Sequence, residues 1–343
     1  MNIQLNYPTL KKHTEQSSTP KKQVYFGLNN TQQPQAKDIE LSQMINGLLA
    51  KIKNTPKDVE FLKFTMPQNY PYDAIKAVFV PVKKVTKMEL PGEPAIVKSG
   101  NVNLNCWFIP PQQGKPTVLW CHGNGETISS TQVVAKQIAA EGNGVMMVEY
   151  EGYGANEGAP SEEKVYNNAL DAAKYLNTQK GIPNNQIIVM GHSLGGPIAA
   201  HTAASVPEGD HFKAVILDST VPDMGTLVKS WIDNDYLAKI SEPKENYTLN
   251  RVQKDLQTNG GLFPTSEFIP HIPKSTKILM VHSYRDNVVD GYVGEKLMDV
   301  IKANRPDASA IWEDKAPKSH QDYTCRMPTV LGFISSQSLN RLV

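Results

Sequence analysis

The chain has 343 residues, with 35 Lys and Arg against 34 Asp and Glu, a net charge of +1. That balance excludes a global electrostatic bias toward nucleic acid. Hydrophobic residues make up 40%, enough for a real core. Three cysteines, Cys106, Cys121 and Cys325, stand without C-x-x-C spacing, which argues against a disulfide framework or a zinc site. The first 30 residues contain no 7–15-residue apolar run, so no secretory signal is expected. No stretch approaches 18 apolar residues, so no transmembrane span is expected either, and a cytoplasmic location fits.

Residues 1–57 read as a polar arm. Eight lysines face three acids there. That surplus suits contact with an acidic membrane or a partner, although a solvated tail is the reading the composition favours. Within the arm, Leu41, Met44, Ile45, Leu48, Leu49 and Ile52 form a helical apolar stripe with Asp38 as a plausible N-cap. Docking on the main domain is the default reading of that stripe.

Residues 58–343 are expected to form one α/β domain. Extended segments are expected at "AIKAVFVPVKKV" and "NVNLNCWFIPP". A regular rhythm follows. "TVLWCHG", "GVMMVEY", "QIIVMG", "AVILDS", "KILMVHS" and "ASAIWED" read as strands. Helical stretches separate most of them. That alternation predicts a mostly parallel sheet covered on both faces. The exception is an interval of about 50 residues, from about 221 to 272. An insert that long reads as a cap or lid.

Chemistry enters at "GHSLGG". Gly191-His192-Ser193-Leu194-Gly195 has G-x-S-x-G form, follows a strand and opens a helix. That is the setting of a nucleophile elbow, with Ser193 as nucleophile and the Leu194 N–H facing a developing oxyanion. A serine needs a base, and the base an orienting acid. His320, in the loop after the last strand, is the best base by elimination among eight histidines. Asp286, just past "KILMVHS", is the acid, with Asp290 as a spare and Asp218 as a rival. "HGNGE", after the first parallel strand, is expected to supply a second oxyanion donor near Asn124. Trp231, Leu227, Leu237 and Phe263 are expected to line an apolar lid over an acyl chain, with cap packing the plainer alternative for each.

These marks have a family likeness. "CHGNGE", "YEGYGANEGAPSEEKVYNNALDAAKYL", "GHSLGG", "HSYRDNVV" and "SHQDY" appear in order from about residue 73 onward. The chain resembles serine hydrolases of the α/β-hydrolase superfamily. Within it, the pattern is similar to the abhydrolase-domain group of depalmitoylating thioesterases and lysophospholipases. The resemblance implies an α/β-hydrolase fold with a lid insert and a Ser193–Asp286–His320 triad. The marks are not specific for a substrate; the expected reaction is attack of Ser193 on an ester or thioester, either a small molecule or a lipid or acyl-protein. No metal and no cofactor is required. An acyltransferase, a peptidase of the same fold and a non-catalytic partner-binding module are the alternatives. The chain departs from the group in carrying Asn156 where serine is usual, in its longer insert and in its N-terminal arm.

Overall fold

In the computed structural model of the protein, residues 79, 81–233, 263–313, 320–323 and 325–338 are described. The N-terminal arm, the stripe at 38–54 and most of the insert lie outside them.

Eight strands form a single sheet: β1 (Glu93–Ser99), β2 (Val102–Ile109), β3 (Thr117–Cys121), β4 (Gly144–Val148), β5 (Ile187–His192), β6 (Ala214–Asp218), β7 (Lys277–His282) and β8 (Ser309–Trp312). Their order is β1-β2-β4-β3-β5-β6-β7-β8. β1 and β2 pair antiparallel, as do β2 and β4, and every pairing from β4 to β8 is parallel. This is a mostly parallel α/β-hydrolase sheet.

The first extended segment differs from expectation. Among its described residues, Phe79 and 81–85 form no strand. Pro81 cannot donate to a ladder. The hairpin partner of β2 is "EPAIVKS", whose burial alternates strictly from Pro94 onward. Ser99 pairs with Val102 across Gly100, at φ +54°, and Asn101. A two-residue Gly-Asn connection of this kind is a tight hairpin turn.

Helices cover both faces. β3, β4, β5 and β6 are buried throughout. Alternate residues therefore feed two cores. Leu119, Met146, Val189 and Leu217 pack with Val165 and Leu176 of α2 (Glu162–Lys180), Ile198 of α3 (Gly195–Ala204) and Leu297 of the later helix Gly291–Asn304. Trp120, Met147, Met190 and Ile216 pack on the opposite face with Val134 and Ile138 of α1 (Gln132–Ala140) and Val330 of the last helix, Met327–Ser338. Between α3 and those last two lie α4 (Met224–Asp233) and a short α5 (Thr265–Phe268), so they become α6 (Gly291–Asn304) and α7 (Met327–Ser338).

Caps fix the helix starts. Ser161 Oγ accepts from Lys164 N at the start of α2, and Asp290 accepts from Val293 N at the start of α6. Asp290 also accepts from Ser230 Oγ at 2.5 Å. It serves as a cap.

β3 runs on to β4 on one side while β5 lies on its other side. The strand order reverses there, and the loops after β3 and β5 open on one crevice at the carboxyl edge. Those loops carry His122–Glu126 and Ser193.

Candidate active site

The elbow follows from steric limits. Ser193 sits at φ +53°, a region that non-glycine residues rarely adopt. It is held there by its N–H, which donates to Asp218 O at 2.9 Å. Its carbonyl accepts from Gly196 N at 2.9 Å and Thr220 Oγ1 at 2.6 Å. A Cβ at Gly191 would run into Gly195 O, and one at Gly195 would run into Cys121 O. The flanking glycines are therefore required by close backbone approach. Leu194 is buried and is the N-cap residue of α3, so its amide lies among the outward-pointing donors of the helix start.

Opposite the elbow, Gly123 approaches so closely that a Cβ there would stand 3.2 Å from Ser193 Cβ. Asn124, the next residue, is half-buried, and its Oδ1 accepts from Tyr153 OH at 2.9 Å. The loop itself is organised by His122. The ring of His122 packs on Tyr150 at 4.2 Å and lies 3.0 Å from Glu149 Oε1, and its carbonyl accepts from Tyr150 OH.

Asp286 and His320 come together from two loops. His320 Nδ1 and Asp286 Oδ2 are 2.7 Å apart. The other carboxylate oxygen, Oδ1, accepts from Val288 N and Val289 N, both at 2.9 Å. Burial opposes the Asp286 charge. The charge of His320, its hydrogen bond, His282 and the Val288 N–H together outweigh it, and the carboxyl stays well below its ordinary range. His320 N donates to Asn287 Oδ1 at 2.8 Å. The remaining ring nitrogen, His320 Nε2, is buried and has no hydrogen-bond partner among the described residues. The rival acid, Asp218, is engaged elsewhere, accepting from Arg326 Nε at 2.5 Å.

Four residues given no role in the sequence reading surround these groups: Glu126, His192, Tyr323 and Arg326. All are buried. His192 Nε2 faces His320 O at 3.1 Å, and the two rings lie 4.6 Å apart. Arg326 Nη2 donates to the same oxygen at 2.9 Å. Tyr323 OH donates to Glu126 Oε1 at 2.6 Å. A signal was present. Glu126 and His192 each fall at or shortly beyond the carboxyl end of an apolar strand, where a charge is costly unless paired.

The apolar residues assigned to the lid fare differently. Leu227 and Phe263 pack in the main core cluster. Phe263 is fully buried against Phe79 and Tyr166, and its N–H donates to Glu162 Oε1 at 2.8 Å. Trp231 belongs to α4 by its backbone. Its side chain, and the whole of Leu237, lie outside the described residues.

Asn156 gains a reason. Its Oδ1 accepts from Asn105 N and Asn105 Nδ2 at 2.7 and 2.8 Å, while its Nδ2 donates to Glu149 O at 2.8 Å. It pins the glycine-rich loop after β4 to β2.

Among the described residues, no group of three or more His, Cys, Asp or Glu is placed to hold a metal ion. No helix among them is long and apolar enough to cross a membrane.

Comparisons with known proteins agree with this architecture. A family model described as serine aminopeptidase, S33, matches residues 112–262. The human protein ABHD12B is 26% identical over 243 residues, covering 68% of this chain and 64% of that protein. The α/β-hydrolase domain-containing protein WAV2 of Arabidopsis thaliana is 32% identical over 158 residues, covering 42% and 51%. The multifunctional-autoprocessing repeats-in-toxin of Vibrio cholerae is 29% identical over 189 residues, which is 54% of this chain and 4% of the toxin. The chain thus spans less than two thirds of the length of each of these relatives. Among solved structures, an α/β-hydrolase from Vibrio vulnificus superposes with a TM-score of 0.58 at 25% identity, covering 72% of this chain and 81% of that one. The Pyrococcus furiosus esterase Pf2001 gives a TM-score of 0.58 at 16% identity, covering 76% and 96%.

Proposed function

We propose that this chain, an α/β-hydrolase, is a serine hydrolase that cleaves a carboxylic ester or thioester through an acyl-Ser193 intermediate. One observation carries the reading. The Asp286–His320 pair, at 2.7 Å, leaves a buried Nε2 with no hydrogen-bond partner among the described residues, on a histidine packed against the residue preceding a strained elbow serine.

In this mechanism Ser193 Oγ attacks the carbonyl carbon and its proton passes to His320 Nε2. Asp286 holds the Nδ1–H tautomer and stabilises the imidazolium. The developing oxyanion takes hydrogen bonds from the Leu194 N–H and a second N–H near Asn124. His320 then protonates the leaving oxygen or sulfur as its bond to carbon breaks. Water attacks the acyl ester, gives its proton to Nε2, and that proton returns to Ser193 Oγ as the acid departs.

The substrate is expected to carry an acyl chain, with the insert at 221–272 selecting its length. Labelling with a fluorophosphonate probe tests the nucleophile. Wild type is expected to label and Ser193→Ala is not, and equal labelling of the two overturns the assignment. A chain-length series of nitrophenyl esters and acyl thioesters tests the substrate class. A preference for acetyl over longer chains overturns the acyl-chain reading. The second reading is peptide hydrolysis, favoured by the description of the matching family model. Faster turnover of aminoacyl amides than of any ester in the series selects it.

A further inference from the structure

Below the elbow lies a buried cluster that the hydrolytic steps do not use. His192 is at its centre. The groups facing it come from three segments: Glu126 after β3, Asp218 at the end of β6, and His320, Tyr323 and Arg326 between β8 and α7.

Hydrogen counting constrains this cluster. His192 Nε2 lies 3.1 Å from His320 O, and a carbonyl oxygen can only accept. Nε2 therefore carries a hydrogen. On the other side, Nδ1 lies 3.0 Å from Tyr323 OH and 3.5 Å from Glu126 Oε2. Tyr323 has one hydroxyl hydrogen, directed at Glu126 Oε1 over a short 2.6 Å. Its oxygen is then left to accept from Nδ1, which needs a second ring hydrogen. Moving that proton to Glu126 would make His192 neutral. It would also need the Tyr323 hydrogen turned to Nδ1, and would leave a neutral carboxyl accepting the Gly123 N–H at 2.6 Å, a charge-assisted length.

We propose that His192 is a standing imidazolium paired with the Glu126 carboxylate, and that it acts as a positioning residue by clamping the main-chain carbonyl of His320 to the elbow that carries Ser193. The clamp rests on the reading of Ser193 and His320 as nucleophile and base. Its consequence is geometric. One side chain, covalently next to the nucleophile, sets the register of the loop bearing the base. Arg326, paired with Asp218, holds the same oxygen from the far side at 2.9 Å. The electrostatic directions agree. Burial disfavours the charged ring, but the Glu126 charge and hydrogen bond and the Asp218 charge raise the His192 pKa against burial and Arg326.

Nitrogen-15 NMR of the histidine-labelled full chain tests the charge. The ring signals absent from His192→Gln are expected to show both nitrogens protonated at pH 8. In Glu126→Gln the same ring is expected to be neutral at pH 8. A neutral tautomer in the wild type overturns the proposal. Kinetics on a nitrophenyl ester tests the clamp. Gln at 192 extends its amide nitrogen to about the place of Nε2, whereas Asn reaches only the place of Nδ1. His192→Asn is expected to lower kcat about 100-fold, the scale of a 1 Å misplacement, with KM nearly unchanged. His192→Gln is expected to regain at least about tenfold of that loss. Equal losses in the two variants overturn the clamp. Absence of Ser193-dependent fluorophosphonate labelling would instead remove the hydrolase reading, while the NMR result on His192 would stand.

Discussion

Asp286 and His320 show how much two neighbouring groups change each other. With the carboxylate locked by two backbone N–H groups and the Nδ1 contact, the imidazole has one usable tautomer. On the proposed reading, Asp286→Asn is expected to lower kcat about 10⁴-fold, the loss seen at the orienting acid of a Ser-His-Asp triad, with the fold intact by circular dichroism. Glu126 makes a stability statement. Burial raises its pKa, but the His192 charge and hydrogen bond, Tyr323 and His122 bring it down from 4.5 to about 2. A depressed carboxyl stabilises the fold fully above its unfolded value and loses that contribution as pH falls from about 4.5 to about 2. His192 has the opposite sign. Its raised pKa gives stability that is complete below its ordinary 6.5 and is lost as pH rises through the folded value. The two directions describe one ionic contact seen from its two sides. The thermal midpoint of the wild type is expected to fall between pH 4.5 and 2, and Glu126→Gln to flatten that fall. A parallel fall in both would refute the assignment.

At the scale of elements, the strand ends are set by backbone contact rather than by propensity. α3 begins so close to β3 that Gly195 has no room for a methyl group. Gly195→Ala is expected to cost about 3 kcal/mol or to prevent folding, measured by urea denaturation. The loop after β4 depends instead on a side-chain amide. Asn156 makes three hydrogen bonds of 2.8 Å or less to Asn105 and to Glu149 O, more than the serine usual in the resembling group can make. Asn156→Ser is expected to destabilise by about 1–2 kcal/mol through the donors and acceptor left buried. After the insert, Phe263 packs in the core, its left-handed backbone at φ +57° held by the Glu162 carboxylate.

Across the whole molecule, the last helix is tied to the middle of the sheet. Arg326 and Asp218, both buried, join the start of α7 to the end of β6. Breaking a buried pair leaves one charge uncompensated, so Asp218→Asn is expected to cost about 3 kcal/mol in urea. It is also expected to lower kcat, because Arg326 supports the His320 carbonyl. The basic arm, residues 1–57, belongs to this scale as a proposal. The full chain is expected to sediment with anionic liposomes more than a chain lacking the arm, and equal sedimentation ends the idea.

The sequence by itself determined the sheet and the elbow, because both are written in local spacing. Apolar runs of five or six residues alternating with helices can only be buried on both faces. G-x-S-x-G at a strand-to-helix junction carries its own steric reason, which Gly191 and Gly195 display. Asp286 and His320 were legible from chain order, since each follows a strand whose end lies at the same edge. Strand β1 is also written in local spacing, in the alternation of "EPAIVKS", although the run ending in "FVPVKKV" is more hydrophobic. Tertiary structure alone decided the rest. Only packing shows Phe263 and Leu227 inside the core, because an apolar side chain reads the same whether it lines a pocket or fills one. The meeting of Glu126, His192, Tyr323 and Arg326 spans some 200 residues of chain and has no local period. Charges become partners there because each, buried alone, would be too costly to keep.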